Sequence, residues 1–398
     1  MNFWFLLDIV DWTLFIAVSL TVLYLFCFSV TSQFVHQKRV PKARHQNRFA
    51  VLIPAYKQDS VVLNAINAIL GQTYSQRLFD VTVISDHESE ITNFRLAQLP
   101  ITLLTPNFEK STKAKSLQYA ILNLPAFKIY DVVVIIDADN IVEPDFLEQM
   151  NDAFESAGSK AILAHRLPKN RDTASARIGS VFEEINTSIF RRGHNVVGLS
   201  AAMTGSGVAY DFAWFKDNIM NARTASEDKE LEAMLMRQHI FVDYFDDIRV
   251  YDEKVREVDE FNRLRGRWIT SQFKALVKNI RYLPIALFNR QYDLVDKIIQ
   301  WMLIPRLLLM AIILVMCVAL PFIYFTLCIK WWIVAFFAGL SFSLATPNEF
   351  VDEHWDEDFL MLPIRTVASF LHLSDKLDKI HIPSFSLKNV FTFKRLKK

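Results

Sequence analysis

Cysteine is absent from the polar part of this chain. Its three cysteines, Cys27, Cys317 and Cys328, all lie inside long apolar runs, so no disulfide framework, zinc site or thiol nucleophile can be built from the remainder. Glycine is scarce as well, with 9 in 398 residues, and none forms a glycine-rich loop after an apolar strand, the feature that dinucleotide-binding and P-loop folds require. Net charge is missing too. Against 43 Asp+Glu stand 44 Lys+Arg, a balance of +1, so no global field favours nucleic acid and any cationic site must be local. The 9 histidines show no H-E-x-x-H or paired spacing, which argues against a zinc site. What is plentiful is apolar surface: 52% hydrophobic residues beside 22% charged ones implies that the excess is concentrated in a few segments.

The first such segment has no charge from Trp12 to Phe34, about the 20 residues that cross a hydrocarbon core as a helix. It is longer than the apolar part of a secretory signal, and Asp8 and Asp11 stand where basic residues would open one, so residues 1–36 read as an anchor. Lys38, Arg39, Lys42, Arg44 and Arg48 follow without an acid, which places the downstream chain in the cytoplasm and the N-terminus outside. A second apolar block, 301–346, is broken only by Arg306 and Lys330 and reads as a transmembrane hairpin with its outer turn near Ile329 and Lys330. So delimited, the spans contain no acidic residue, which speaks against a transporter. The tail 347–398 ends in an acid-free basic stretch from Lys379 to Lys398, returning the chain to the cytoplasmic side after three crossings. Within it Phe359 to Leu373 is too short to span and reads as an interfacial helix, a fourth crossing being the alternative. In 269–300, Phe273, Leu276, Val277, Ile280 and Leu283 recur at helical spacing against Lys274, Lys278 and Arg281; such amphipathic helices lie on a membrane or pack on the soluble domain, and periodicity does not separate the two.

Between residues 48 and 268 the pattern is different. The runs FAVLIPAY, DVTVISD, ITLLT and DVVVIIDAD alternate with amphipathic stretches, the signature of an α/β fold with a mostly parallel sheet covered on both faces. Val132 to Ile136 has no polar position and ends abruptly in Asp137, Ala138, Asp139 and Asn140. Ligands of open α/β sheets gather at such carboxyl ends. The spacing Asp137-x-Asp139 directs both carboxylates to one side of an extended chain, and hard oxygens of this kind suit Mg²⁺ or Mn²⁺; a solvated acidic loop is the plainer reading of two such residues.

Taken in order, PAY (Pro54 to Tyr56), Asp86, KAKSLQYA (Lys113 to Ala120), DAD (Asp137 to Asp139), TGSG (Thr204 to Gly207), SED (Ser226 to Asp228) and RGRW (Arg265 to Trp268) resemble the membrane-bound family 2 glycosyltransferases, the group of cellulose, chitin and hyaluronan synthases and ceramide glucosyltransferase. The resemblance implies a GT-A fold and inverting transfer from a nucleotide diphosphate sugar, usually a UDP-sugar, with Mg²⁺ or Mn²⁺. By the same resemblance Pro54, Tyr56 and Asp86 line the base and ribose site, Lys113 approaches the diphosphate and Asp137 contacts the nucleotide sugar. Asp139 is the metal ligand, Gly205, Ser206 and Gly207 wall the acceptor site, Asp228 beside Glu227 is the general base, and Arg267 with Trp268 sits near diphosphate and acceptor. Two departures stand out. Lys57 and Gln58 replace the usual acid-bearing continuation of PAY, removing a base-contacting acid, and Leu264 stands where processive synthases carry Gln or Arg.

The implied protein is an integral protein of the inner or plasma membrane, with its catalytic domain cytoplasmic, acting on a lipid-linked or saccharide acceptor. A processive polysaccharide synthase subunit, with an oligomer or channel partner, and a non-catalytic nucleotide-sugar-binding scaffold are the alternatives. Independently of the resemblance, the chemistry needs cations against the leaving diphosphate and a carboxylate for the acceptor hydroxyl, and Lys113, Arg267, Asp137, Asp139 and Asp228 are the right types. Glu227 and Asp228 also open an apparent helix, where acids complement the dipole. Trp214 and Trp268 could serve as sugar platforms or as core residues.

Overall fold

The protein is described from a computed structural model over residues 3–34, 40–323 and 325–350. Lys38, Arg39 and the tail from Val351, with the expected helix Phe359 to Leu373, lie outside the described residues. In chain order the elements are α1 (Phe3–Thr31), β1 (Phe49–Tyr56), α2 (Val62–Leu70), β2 (Phe79–Asp86), α3 (Glu90–Leu96), β3 (Thr102–Leu104), α4 (Lys113–Asn123), β4 (Val132–Ile135) and β5 (Ile141–Val142). Then come α5 (Phe146–Ala157), β6 (Ala161–Pro168), α6 (Ala174–Asn186), a π-helical segment (Thr187–Gly193), α7 (His194–Val196), β7 (Val208–Asp211), α8 (Phe212–Ile219), α9 (Glu227–Arg237) and β8 (Val242–Asp252). The chain closes with α10 (Val258–Asn279), α11 (Leu283–Phe288), α12 (Tyr292–Met302), α13 (Arg306–Ile323) and α14 (Phe325–Ala345).

One eight-stranded sheet, ordered β3-β2-β1-β4-β7-β6-β8-β5, forms the centre. The four strands expected from the apolar runs are its parallel half, β3-β2-β1-β4. In β1, side chains alternate between two cores: Ala50 and Leu52 pack on one face with α4, while Phe49, Val51 and Ile53 pack on the other with α2 and α5, the period-two pattern of a strand buried on both sides. The other half mixes directions, since β7 runs antiparallel to β4 and β6 while β6 and β8 are parallel. Sequence reasoning missed this half. In β8 the burial alternates only in part, and a register irregularity against β6 at Ala164/His165 interrupts the pattern.

The helices after the sheet pack in part on the sheet domain and expose apolar side chains in part. Leu294, Ile298 and Trp301 of α12 and Ala275 of α10 join the core of the sheet domain, whereas Trp268, Ile269, Phe273, Val277, Leu287 and Phe288 are exposed. No break separates 268 from 269, because α10 runs through that boundary.

Three described helices are long and apolar enough to cross a membrane: Asp8–Phe34, Arg306–Ile323 and Phe325–Ala345. Two details correct the sequence reading. α13 ends at Ile323 and α14 begins at Phe325, so Ile329 and Lys330 are not at a turn; Lys330 lies inside α14 and donates to Asp11 of α1, with its ammonium 3.9 Å from the centre of the Trp12 ring. The spans also do contain a buried acid, since Asp11 is 2% exposed and accepts a 2.7 Å bond from Trp331 Nε1. A pair of opposite charges hydrogen-bonded to each other removes the reason for a turn at Lys330.

α1 is docked onto the sheet domain through the π-helical segment. A Cβ on Gly193 would lie 2.4 Å from the Phe28 carbonyl oxygen, so only glycine permits this approach. Phe28 stacks on His194 at 3.7 Å, and the Tyr24 hydroxyl donates to Asp296 Oδ1 at 2.6 Å and bonds His194 Nε2 at 2.7 Å.

Candidate active site

Lys113 opens α4, whose N-cap Thr112 accepts from Lys115 N–H, and its ammonium reaches across to the end of β4. It donates to Asp137 and to the Gly205 carbonyl oxygen at 2.8 Å, and stands 4.0 Å from Glu227 Oε1. One cation therefore joins α4, the end of β4, 24 residues on, the Gly205 turn, 92 residues on, and the start of α9. Burial disfavours both charges of the Lys113–Asp137 pair, but their attraction outweighs it, holding the Asp137 carboxyl below its usual range and the Lys113 ammonium above.

The turn Thr204 to Gly207 is shaped for this neighbourhood. A Cβ on Gly205 would come within 3.2 Å of Lys113 Nζ, and Gly207 has a left-handed backbone (φ 70°) with Val250 and Ala164 against it. Ser206 Oγ accepts from Asp137 N–H at 2.9 Å and donates to Asn140 Oδ1, which fixes the chain on either side of Asp139.

Asp139 itself is different. Burial, then the charge of Asp137, pushes its carboxyl up to about 6, with Arg166 and Lys169 pulling the other way. Its Oδ1 accepts from Asn140 Nδ2 at 2.9 Å, and a hard divalent cation bound at this carboxylate would offset its burial. No group of three or more His, Cys, Asp or Glu able to hold a metal occurs among the described residues, so such an ion would take one or two carboxylates here and complete its shell from water and a diphosphate.

Glu227 and Asp228 begin α9. Glu227 is 5% exposed, and burial above all, then Asp228, pushes its carboxyl up to about 7 against the pull of Lys113. Asp228 is partly exposed. The N-cap Ser226 makes no side-chain cap and instead bonds Ser271 of α10 through its hydroxyl. Ser271 lies four residues after Arg267, on the same helical face one turn on. Arg267 and Trp268 are exposed, Trp268 by 61%. Trp214 is not a platform: it is buried, stacks on Tyr210 and donates Nε1–H to Gln238 at 2.7 Å.

Pro54, Tyr56 and Asp86 sit at the carboxyl ends of β1 and β2, with Tyr56 and Asp86 in register and Pro54 opposite Ile84. Asp86 is 1% exposed and bonds His87 Nδ1 at 2.6 Å, while the Tyr56 ring is half exposed and edge-on to His87 at 5.7 Å. Sequence reasoning overlooked Arg166, Lys169 and Asp252. Lys169 donates to the Asp139 carbonyl oxygen and Arg166 pairs with Asp252 at 2.7 Å. Their signal was available: HRLPKN follows the apolar run AILA as DAD follows VVVII.

The family described as Glycosyltransferase like family 2 matches residues 45–271. Among solved structures, a mannosyltransferase from Pyrobaculum calidifontis in complex with GDP-Man and Mn²⁺ is similar over 82% of this chain and 97% of its own, at 14% identity and TM-score 0.51. S. aureus TarS 1-349 in complex with UDP-GlcNAc covers 82% of this chain and 92% of its own, at 12% identity and TM-score 0.44. A search of curated proteins finds no match. The family match spans more than half of the chain and ends just beyond Trp268, and the chain accordingly belongs to glycosyltransferase family 2, as a transferase of GT-A fold carrying three helices long and apolar enough to cross a membrane.

Proposed function

We propose that the protein moves a sugar, with inversion, from a nucleoside diphosphate sugar to a lipid-linked or saccharide acceptor at the cytoplasmic membrane face. The observation that carries this is the Lys113 bridge between Asp137, Gly205 and Glu227, which gathers donor-binding, acceptor-wall and base motifs at one end of the sheet. In this reading Pro54, Tyr56 and Asp86 hold the base and ribose, and Asp137 contacts the nucleotide sugar. Lys113 and Arg267 face the developing charge of the diphosphate. Asp228 takes the proton of the acceptor hydroxyl as its oxygen bonds the anomeric carbon and the bond to the diphosphate oxygen breaks. Trp268 and the turn Gly205, Ser206, Gly207 border the acceptor. Asp139 would hold Mg²⁺ or Mn²⁺, whose charge favours departure of the diphosphate when bound; the Pyrobaculum calidifontis protein holds Mn²⁺.

The exposed apolar face of α10 and α11 supports delivery of the acceptor at the membrane surface. Leu264 supports single transfer over polymerisation. Purified protein in detergent with Mn²⁺ or Mg²⁺ and a panel of nucleotide sugars should release nucleoside diphosphate only with an acceptor of this class. Absence of release with every donor and acceptor tried would overturn the reading.

A further inference from the structure

A continuous chain of polar groups runs from α1, one of the helices long and apolar enough to cross a membrane, through α12 to α9. The Tyr24 hydroxyl of α1 bonds His194 Nε2 at 2.7 Å and donates to Asp296 Oδ1 at 2.6 Å. Asp296 Oδ2 accepts from Gln300 Nε2 at 2.8 Å, and Gln300 Oε1 accepts from Lys297 Nζ at 2.8 Å. Lys297 can only donate, which fixes the orientation of the Gln300 amide. Lys297 Nζ then stands 3.0 Å from Glu232 Oε1, which takes the Met203 N–H at 2.8 Å. His194, Asp296, Lys297, Gln300 and Glu232 are each at most 8% exposed.

The far end of the chain is the turn that borders the acceptor in the proposed function. Met203 precedes Thr204, and the Gly205 carbonyl oxygen two residues on accepts from Lys113. α12 holds the same segment at a second point, since Asp293 Oδ1 accepts Ser200 N–H at 2.6 Å. Asp293 and Lys297 are one turn apart on α12, and Asp228 and Glu232 are one turn apart on α9, each pair on one helical face. The backbone leading into the turn is thus gripped twice from a helix that Tyr24 bonds to α1.

We infer that Tyr24 is a positioning residue: through Asp296, Gln300, Lys297 and Glu232 it fixes the approach to the Thr204 to Gly207 turn, so that α1 takes part in how the acceptor is held. The inference rests on the acceptor reading of that turn given above. Without the Tyr24 hydroxyl, Asp296 Oδ1 is a buried carboxylate oxygen that has lost its donor, which is costly. The positive groups beside Asp296 are His194 and Lys297. Lys297 is shared between two acids, so drawing it to Asp296 weakens its hold on Glu232 and, through Glu232, on Met203. Groups that act as one unit lose their effect together, so a second break in the chain adds little to the first.

Hydrogen exchange of the full-length protein in detergent, measured by mass spectrometry, tests the positioning without any substrate. Tyr24→Phe keeps the ring and should speed exchange about tenfold in peptides covering Ser200 to Gly207, while those of β1 and β4 exchange as in the wild type. Wild-type exchange at Ser200 to Gly207, or faster exchange spread equally over the sheet, would overturn the inference. Gln300→Met breaks the chain at its centre and should give the same local change; it decides the matter by itself if Tyr24→Phe does not fold. In turnover, each variant should lower kcat/KM for the acceptor about tenfold and leave nucleoside diphosphate affinity unchanged, and the double variant should lose about tenfold, not about a hundredfold. Losses that multiply would mean two independent contacts and overturn the chain. A wild-type protein that turns over no donor would remove the acceptor reading, while the hold of α1 on the turn still stands or falls by the exchange result.

Discussion

Lys297 Nζ of α12 lies 3.0 Å from Glu232 Oε1 of α9, with the two side chains 1% and 0% exposed. Glu232 also accepts Met203 N–H at 2.8 Å, just before the Thr204 to Gly207 turn, and Lys297 donates to Gln300 Oε1 at 2.8 Å. The pair therefore joins the helix that carries Glu227 and Asp228 to the Thr204 to Gly207 turn and to α12, which leads to α13.

Removing Lys297 leaves the buried Glu232 with Lys229, 3.4 Å from its Oε2, as its remaining cation. Lys297→Ala should lower stability by about 3 kcal/mol, the lower end for breaking a buried pair. Combining Lys297→Met with Glu232→Gln should recover much of this, because the under-compensated charge is gone. Thermal unfolding in detergent measures both; equal losses for the single and double variants would contradict the pairing.

Asp228→Asn should leave expression and nucleotide affinity near those of the wild type and lower turnover by about two orders of magnitude or more. Single-turnover kinetics beside calorimetry separates these effects. Normal turnover would shift the proton acceptor to Glu227 or to another carboxylate.

Nucleotide diphosphate binding should require a divalent cation, since the diphosphate otherwise meets Asp137 and Asp139 with like charge. Asp139→Ala should lose most of the difference between titrations with Mn²⁺ and with EDTA. Identical wild-type affinities in the two conditions would mean a metal-independent site.

Glu227 sets a pH dependence of stability. Its carboxyl is pushed up from 4.5 to about 7, first by burial and next by Asp228. Between those values the native protein holds a proton that the unfolded chain has lost, so this group makes stability fall as pH rises through the window and leaves it lower above the folded value. Glu227→Gln removes that fall. Relative to wild type, the variant should therefore gain stability as pH is raised from about 5 to about 8. A difference in melting temperature that stays constant over the range would show that Glu227 titrates normally.

The runs that became β1, β2, β3 and β4, the three apolar spans, and the acids at the end of β4 were all legible in the chain, because each is a local signal: a continuous apolar stretch, its length, and the polar residues at which it stops. The order of motifs also identified the family, and offered Lys113, Asp137, Asp139 and Asp228 as candidate site residues, of which the fold pairs Lys113 with Asp137. Tertiary structure decided what depends on partners distant in sequence. It placed Asp11 opposite Lys330, 319 residues away, so that charges which look like a turn and a flank are a buried pair inside the helices. It brought Lys169 and Arg166 beside Asp139 through β6 and β8, strands whose mixed directions no local periodicity announces. Hydrophobic pattern acts over a few residues along the chain, whereas ion pairing, desolvation and hydrogen-bond satisfaction act across space, and only the folded chain supplies those distances.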